Sequence, residues 1–96
     1  MTSKQRAALK GIATNITSIF QIGKGGINDN MVSAIGDALA SHELIKITVL
    51  RTCDYAADEL MKLLEIKTGA EGICVIGSKI VLYKRSNKNG VKHIEV

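Results

Sequence analysis

The 96-residue chain has only two cysteines, Cys53 and Cys74, and three aromatic rings, Phe20, Tyr55 and Tyr83. Two cysteines supply neither a disulfide framework nor a two-pair zinc site. With Phe20 expected in the core, too few rings remain for a sheet that stacks nucleic-acid bases. No apolar run approaches the roughly 18 residues of a membrane span. No apolar stretch follows Met1 to Arg6, so a secretory leader is not expected either. A cytoplasmic domain is the expectation. Catalytic groupings are missing as well. His42 and His93 stand far apart without a metal-ligand partner at i+3 or i+4, and no carboxylate pair or Ser/His/Asp set is convincing. An enzyme is not expected, and no metal or organic cofactor is implied.

What is present is an ordinary globular composition, 46% hydrophobic and 23% charged, enough for one small core. The net charge of +4 is unevenly placed. Residues 1–24 hold Lys4, Arg6, Lys10 and Lys24 and no acid; residues 25–76 hold four bases against eight acids; residues 77–96 hold five bases and Glu95. If the two ends meet, the molecule has a basic face and an acidic back. Such a dipolar layout suits a polyanion, although a plain solubility pattern would look the same.

Thr2 with Gln5 three residues later is a capping box, and Leu9, Ile12, Ala13 and Ile16 recur at helical spacing, predicting a helix over 3–15. Thr17 to Ile22 reads as a short strand ending at glycine. Asn28 can cap a second helix with Met31, Ala34, Ile35, Ala38 and Leu39 inward. Leu44 to Leu50 alternates, with Lys46 and Thr48 on a wetter face. Asp54 is the expected cap of a third helix that stops at Gly69. His42, ending helix two, suits a C-cap, and Cys74 suits the core, whereas Cys53 at a strand–helix junction suits a lowered thiol pKa. Ile73 to Ile76, a turn at Gly77-Ser78-Lys79, and Ile80 to Arg85 form an antiparallel hairpin. The order α-β-α-β-α-β-β implies a single compact α/β domain over 1–86, with a four-stranded mixed sheet packed by helices. Residues 87–96 make a polar tail with room for a marginal strand from Val91 to Val96.

The sharpest local feature is Gly23-Lys24-Gly25-Gly26, between a strand and a helix start. Glycines allow positive φ and close approach of a ligand, the following helix amides can face an anion, and Lys24 adds a cation. No Gly-Lys-Ser/Thr triplet exists for a Walker A loop, and Asn28 stands where a dinucleotide fingerprint needs glycine. A short GxxG clamp on a nucleic-acid backbone survives. So does a plain turn with Lys24 as its solvated tip.

The blocks Thr2-Ser3-Lys4-Gln5-Arg6, Leu9-Lys10-Gly11-Ile12-Ala13 and Gln21-Ile22-Gly23-Lys24-Gly25-Gly26 resemble the opening of a CRM domain, the chloroplast RNA splicing and ribosome maturation family. His42 to Ile47, Thr68-Gly69-Ala70, Val75-Ile76-Gly77 and Leu82 to Ser86 continue the match through about residue 86. As a stand-alone domain the chain resembles the bacterial YhbY type. The resemblance implies a fold related to the C-terminal domain of translation initiation factor three. It also implies RNA binding and association with the precursor of the large ribosomal subunit: ribosomal RNA and a pre-ribosomal particle as partners, with no membrane and no small-molecule substrate. Its RNA-binding residues fall on Gly23, Lys24, Gly25 and Gly26, on Lys4, Arg6 and Lys10 of the first helix, and on Lys84 and Arg85 of the last strand. The sequence departs from the family pattern at Ser78 and at Lys10 and Lys84, where arginine is common; lysine keeps the charge but loses the planar fork. The alternative expectation is a protein-interaction module docking a basic ribosomal protein on Asp54, Asp58, Glu59 and Glu65.

Overall fold

A computed structural model describes residues 1–87, 90, 93 and 94. The first helix, α1 (Ser3–Ala13), begins at the expected capping box: Thr2 Oγ1 accepts from the Gln5 amide at 3.1 Å and Gln5 Oε1 accepts from the Thr2 amide at 2.9 Å. The helix ends two residues earlier than its apolar spacing predicts. Strand β1 (Phe20–Ile22) is also shorter than expected. Ahead of it, the Ile19 amide still bonds the Lys46 carbonyl at 3.0 Å, and the Ser18 hydroxyl donates to the Phe20 carbonyl and accepts from Thr48 Oγ1.

Helix α2 (Asp29–His42) is capped by Asn28, whose side chain accepts from the Met31 amide at 2.8 Å. It buries Ile35 and Leu39, while Ala34, expected inward, is exposed. The C-cap is Glu43, not His42, and Glu43 takes a positive φ of 63°. Strand β2 (Leu44–Val49) runs parallel to β1. Helix α3 (Ala57–Thr68) starts after Ala56 with no side-chain cap, so Asp54 does not fill the role predicted for it. Gly69 does end the helix, left-handed at φ 74°. Strands β3 (Glu71–Ile76) and β4 (Lys79–Tyr83) form the antiparallel hairpin, and the turn is only Gly77-Ser78. The marginal strand expected from Val91 to Val96 falls mostly outside the described residues.

The strand order is β1-β2-β4-β3, a four-stranded mixed sheet as expected. Helices cover both faces. Residues of α2 and α3 close the larger core over Ile22, Ile45, Ile47, Ile80 and Leu82. Helix α1 lays Leu9 and Ala13 on the other face, over Leu44, Ile73 and Val81. The face of β2 expected to be wet is therefore partly roofed, and Lys46 on it is only 8% exposed. Cys74 is half-buried at the edge of this smaller cluster rather than in the main core.

Candidate nucleic-acid interface

Because β1 and β2 are parallel, the chain leaves both strands at the same end of the sheet, where ligand loops gather in α/β folds. The Leu50 amide bonds the Ile22 carbonyl at 2.8 Å, and the Val49 amide bonds the Ser78 carbonyl at 2.7 Å. These bonds draw the glycine loop, the Leu50–Ala56 connection and the β3–β4 turn together. The loop itself closes with the Gly26 amide on the Gly23 carbonyl at 3.1 Å.

Its glycines do different work. Gly25 has φ 91° and open space where a Cβ would stand, so a ligand backbone can come close there. Gly26 has φ 74°, and its missing Cβ would lie 2.9 Å from two ring carbons of Tyr55. Gly26 therefore seats a tyrosine. Gly23 would meet Leu50 and Thr52 only at ordinary contact distance.

Lys24 is exposed at the loop tip, and two cations absent from the sequence-level assignment stand at the same end of the sheet. Arg51 is exposed just beyond β2. Lys79 is exposed and shares one row of the sheet with Thr48 and Gln21, through the pairs Gln21↔Thr48 and Thr48↔Lys79. At about 4.8 Å per strand, Gln21 and Lys79 lie roughly 10 Å apart. The signal for both was topological: residues just past parallel neighbours become spatial neighbours, and a hairpin turn paired with β2 must land beside them.

The row continues onto the face that carries α1. Lys4 and Lys10 are exposed on that helix. Burial pushes the Cys74 thiol up, against the pull of nearby Lys10, Arg6 and Lys46. Those three cations thus share one face. No described buried side-chain nitrogen lacks a partner, so the Lys46 stem is covered while its ammonium reaches the surface.

Two of the expected contact residues are occupied by the fold. The Arg6 guanidinium bonds the carbonyls of Gly72 and Ile73 and pairs with Glu71 at 3.0 Å, tying α1 to β3. Lys84 Nζ donates to the Thr68 carbonyl at 2.8 Å, closing the C-terminus of α3. Lys84 and Arg85 also follow β4 at the opposite end of the sheet from the glycine loop. The register from Thr48↔Lys79 to Leu44↔Tyr83 spans four steps, roughly 14 Å at ~3.4 Å each. They do not join Lys24. Of the acidic belt, Glu65 is also engaged, accepting from the Gly72 amide at 3.0 Å.

The sequence matches the CRS1 / YhbY (CRM) domain family over residues 1–84. It is 42% identical over 96 residues to the Bacillus subtilis (strain 168) protein named Probable RNA-binding protein YqeI, spanning 100% of this chain and 98% of that one. A Haemophilus influenzae protein named RNA-binding protein is 28% identical over 88 residues, spanning 92% and 89% of the two chains. The solution structure of the hypothetical protein SAV1595 from Staphylococcus aureus superposes with a TM-score of 0.82 at 47% identity, covering 100% and 98%. By sequence and by fold, the chain belongs to the CRS1 / YhbY (CRM) domain family.

Proposed function

We propose that this protein binds RNA and catalyses no reaction, holding the RNA backbone at the glycine-loop end of the sheet. The carrying observation is that exposed Lys24, Arg51 and Lys79 stand at the same end of the sheet as Gly25, whose left-handed backbone leaves open space. The printed names of its relatives as RNA-binding proteins support the same reading. Lys10, Lys46 and Lys4 extend the track along the face under α1. Phosphate contacts of this kind are sequence-independent and weaken steeply with salt.

The RNA is the precursor of the large-subunit ribosomal RNA, met within a pre-ribosomal particle in the cytoplasm; the resemblance of the ordered sequence blocks to ribosome-maturation domains supports this choice. Tagged protein is purified from cells and its bound RNA sequenced. Enrichment of large-subunit precursor over mature ribosomal RNA and messenger RNA is expected. Equal recovery of all three would leave RNA binding in place and remove the ribosomal assignment.

A further inference from the structure

Beside the glycine loop lies a pocket of about 160 Å³ lined by Gly25, Ile27, Tyr55, Leu60 and Leu63. It is well below the roughly 300 Å³ at which pockets for drug-sized ligands begin, which suits a single ring system. Its wall is half-open: Tyr55 is 50% exposed and Leu63 37% exposed, whereas Leu60 beneath them is buried. The Tyr55 ring is also held in place, since carbons Cδ2 and Cε2 occupy the space a side chain at Gly26 would need.

Charge decides what can enter. Lys24 stands on the loop side, next to Gly25. On the other side, Asp54 precedes Tyr55, and Asp58 and Glu59 form the first turn of α3. Those carboxylates repel phosphate, so an RNA strand is favoured with its backbone at Lys24 and an uncharged part in the pocket.

We propose that this pocket takes one unpaired nucleobase, stacked on the Tyr55 ring, from the strand whose backbone lies on the glycine loop. The protein then selects single-stranded or looped RNA at this point, because a base in a continuous duplex cannot leave its stack without cost. This inference rests on the RNA-binding reading above.

The chain has no tryptophan and only two tyrosines, so Tyr83→Phe makes Tyr55 the sole tyrosine fluorophore. In that background, binding to a labelled single-stranded oligonucleotide and to a hairpin duplex of equal length is followed by label anisotropy and by Tyr55 emission. The single strand is expected to quench Tyr55 and to bind more tightly than the duplex. In the otherwise native chain, Tyr55→Ala weakens single-strand binding roughly 5- to 100-fold, leaves the salt slope unchanged, and Tyr55→Phe restores affinity. Lys24→Glu lowers the slope and tests the backbone contact separately. Single-strand binding with Tyr55 emission unmoved overturns the base pocket and spares the RNA reading. Failure to bind either RNA overturns both.

Discussion

The Glu43 carboxylate and the His93 ring meet at 2.6 Å, although fifty residues separate them. Glu43 is fully buried, and the same carboxylate also accepts from the amides of Ser86 at 2.6 Å and Ile94 at 2.7 Å. Its own carbonyl accepts from the Lys84 amide at 2.8 Å. One side chain thus pins the chain beyond β4 against the end of α2. Burial pushes the carboxyl pKa up, but the Ser86 amide, His93 and the Ile94 amide outweigh it and hold the value at about 2.

A carboxyl depressed in the folded state stabilises the fold above its unfolded pKa and loses that contribution as pH falls through the folded value. Urea midpoints should therefore decline between about pH 4.5 and pH 2. Glu43→Ala should abolish that component and cost about 3 kcal/mol at neutral pH by leaving buried amides without their acceptor. A pH profile identical in both proteins would remove Glu43 from the account.

Arg6 should behave as a structural residue. Its pairing with Glu71 is partly exposed, at 40% and 43%, and is worth under about 1 kcal/mol. The carbonyl contacts to Gly72 and Ile73 add more. Arg6→Ala is expected to lower stability by roughly 1–3 kcal/mol in urea titrations, whereas Lys4→Ala and Lys10→Ala stay within about 0.5 kcal/mol.

Gly26 and Tyr55 should be coupled. Gly26→Ala faces both a φ of 74° and a ring 2.9 Å from the new Cβ, for an expected loss of about 1–3 kcal/mol. Gly25→Ala meets only the backbone penalty at φ 91°. In a double-mutant cycle, Tyr55→Ala should recover part of the Gly26→Ala loss and none of the Gly25→Ala loss.

Helix α3 has Ala56 at its N-cap position and no side-chain cap. Ala56→Ser or Ala56→Asp should raise the urea midpoint, by about 0.5–1 kcal/mol of stability. Asp54 has the right chemistry for a cap, but the N-cap position falls two residues later, beyond the segment in which Tyr55 packs on Gly26. Local propensity cannot see a contact 29 residues away. Thr2 and Asn28 were legible because their caps involve only neighbours three residues on.

The same distinction runs through the site. The glycine loop and Lys24 were visible as a local pattern, and the alternation of β2 gave its two faces. Arg51 and Lys79 come to the glycine-loop end only through strand order, whereas Arg6 and Lys84 each bond a backbone carbonyl distant in sequence, which no local pattern announces. Glu43 has no distinguishing local pattern in the sequence. Nothing within a few residues of it foretells the Ser86, His93 and Ile94 partners.

The central claim is that RNA backbone lies at the glycine-loop end of the sheet. It is tested most directly by anisotropy across a salt series with a large-subunit ribosomal RNA fragment, comparing single alanine substitutions of Lys24, Arg51, Lys79 and Arg85. Each of the first three should reduce the slope of log affinity against log salt by about 0.7–0.9, one phosphate contact apiece, while Arg85→Ala leaves it unchanged. Unaltered slopes for Lys24, Arg51 and Lys79, with the loss falling on Arg85 instead, would place the RNA at the opposite end and contradict the account.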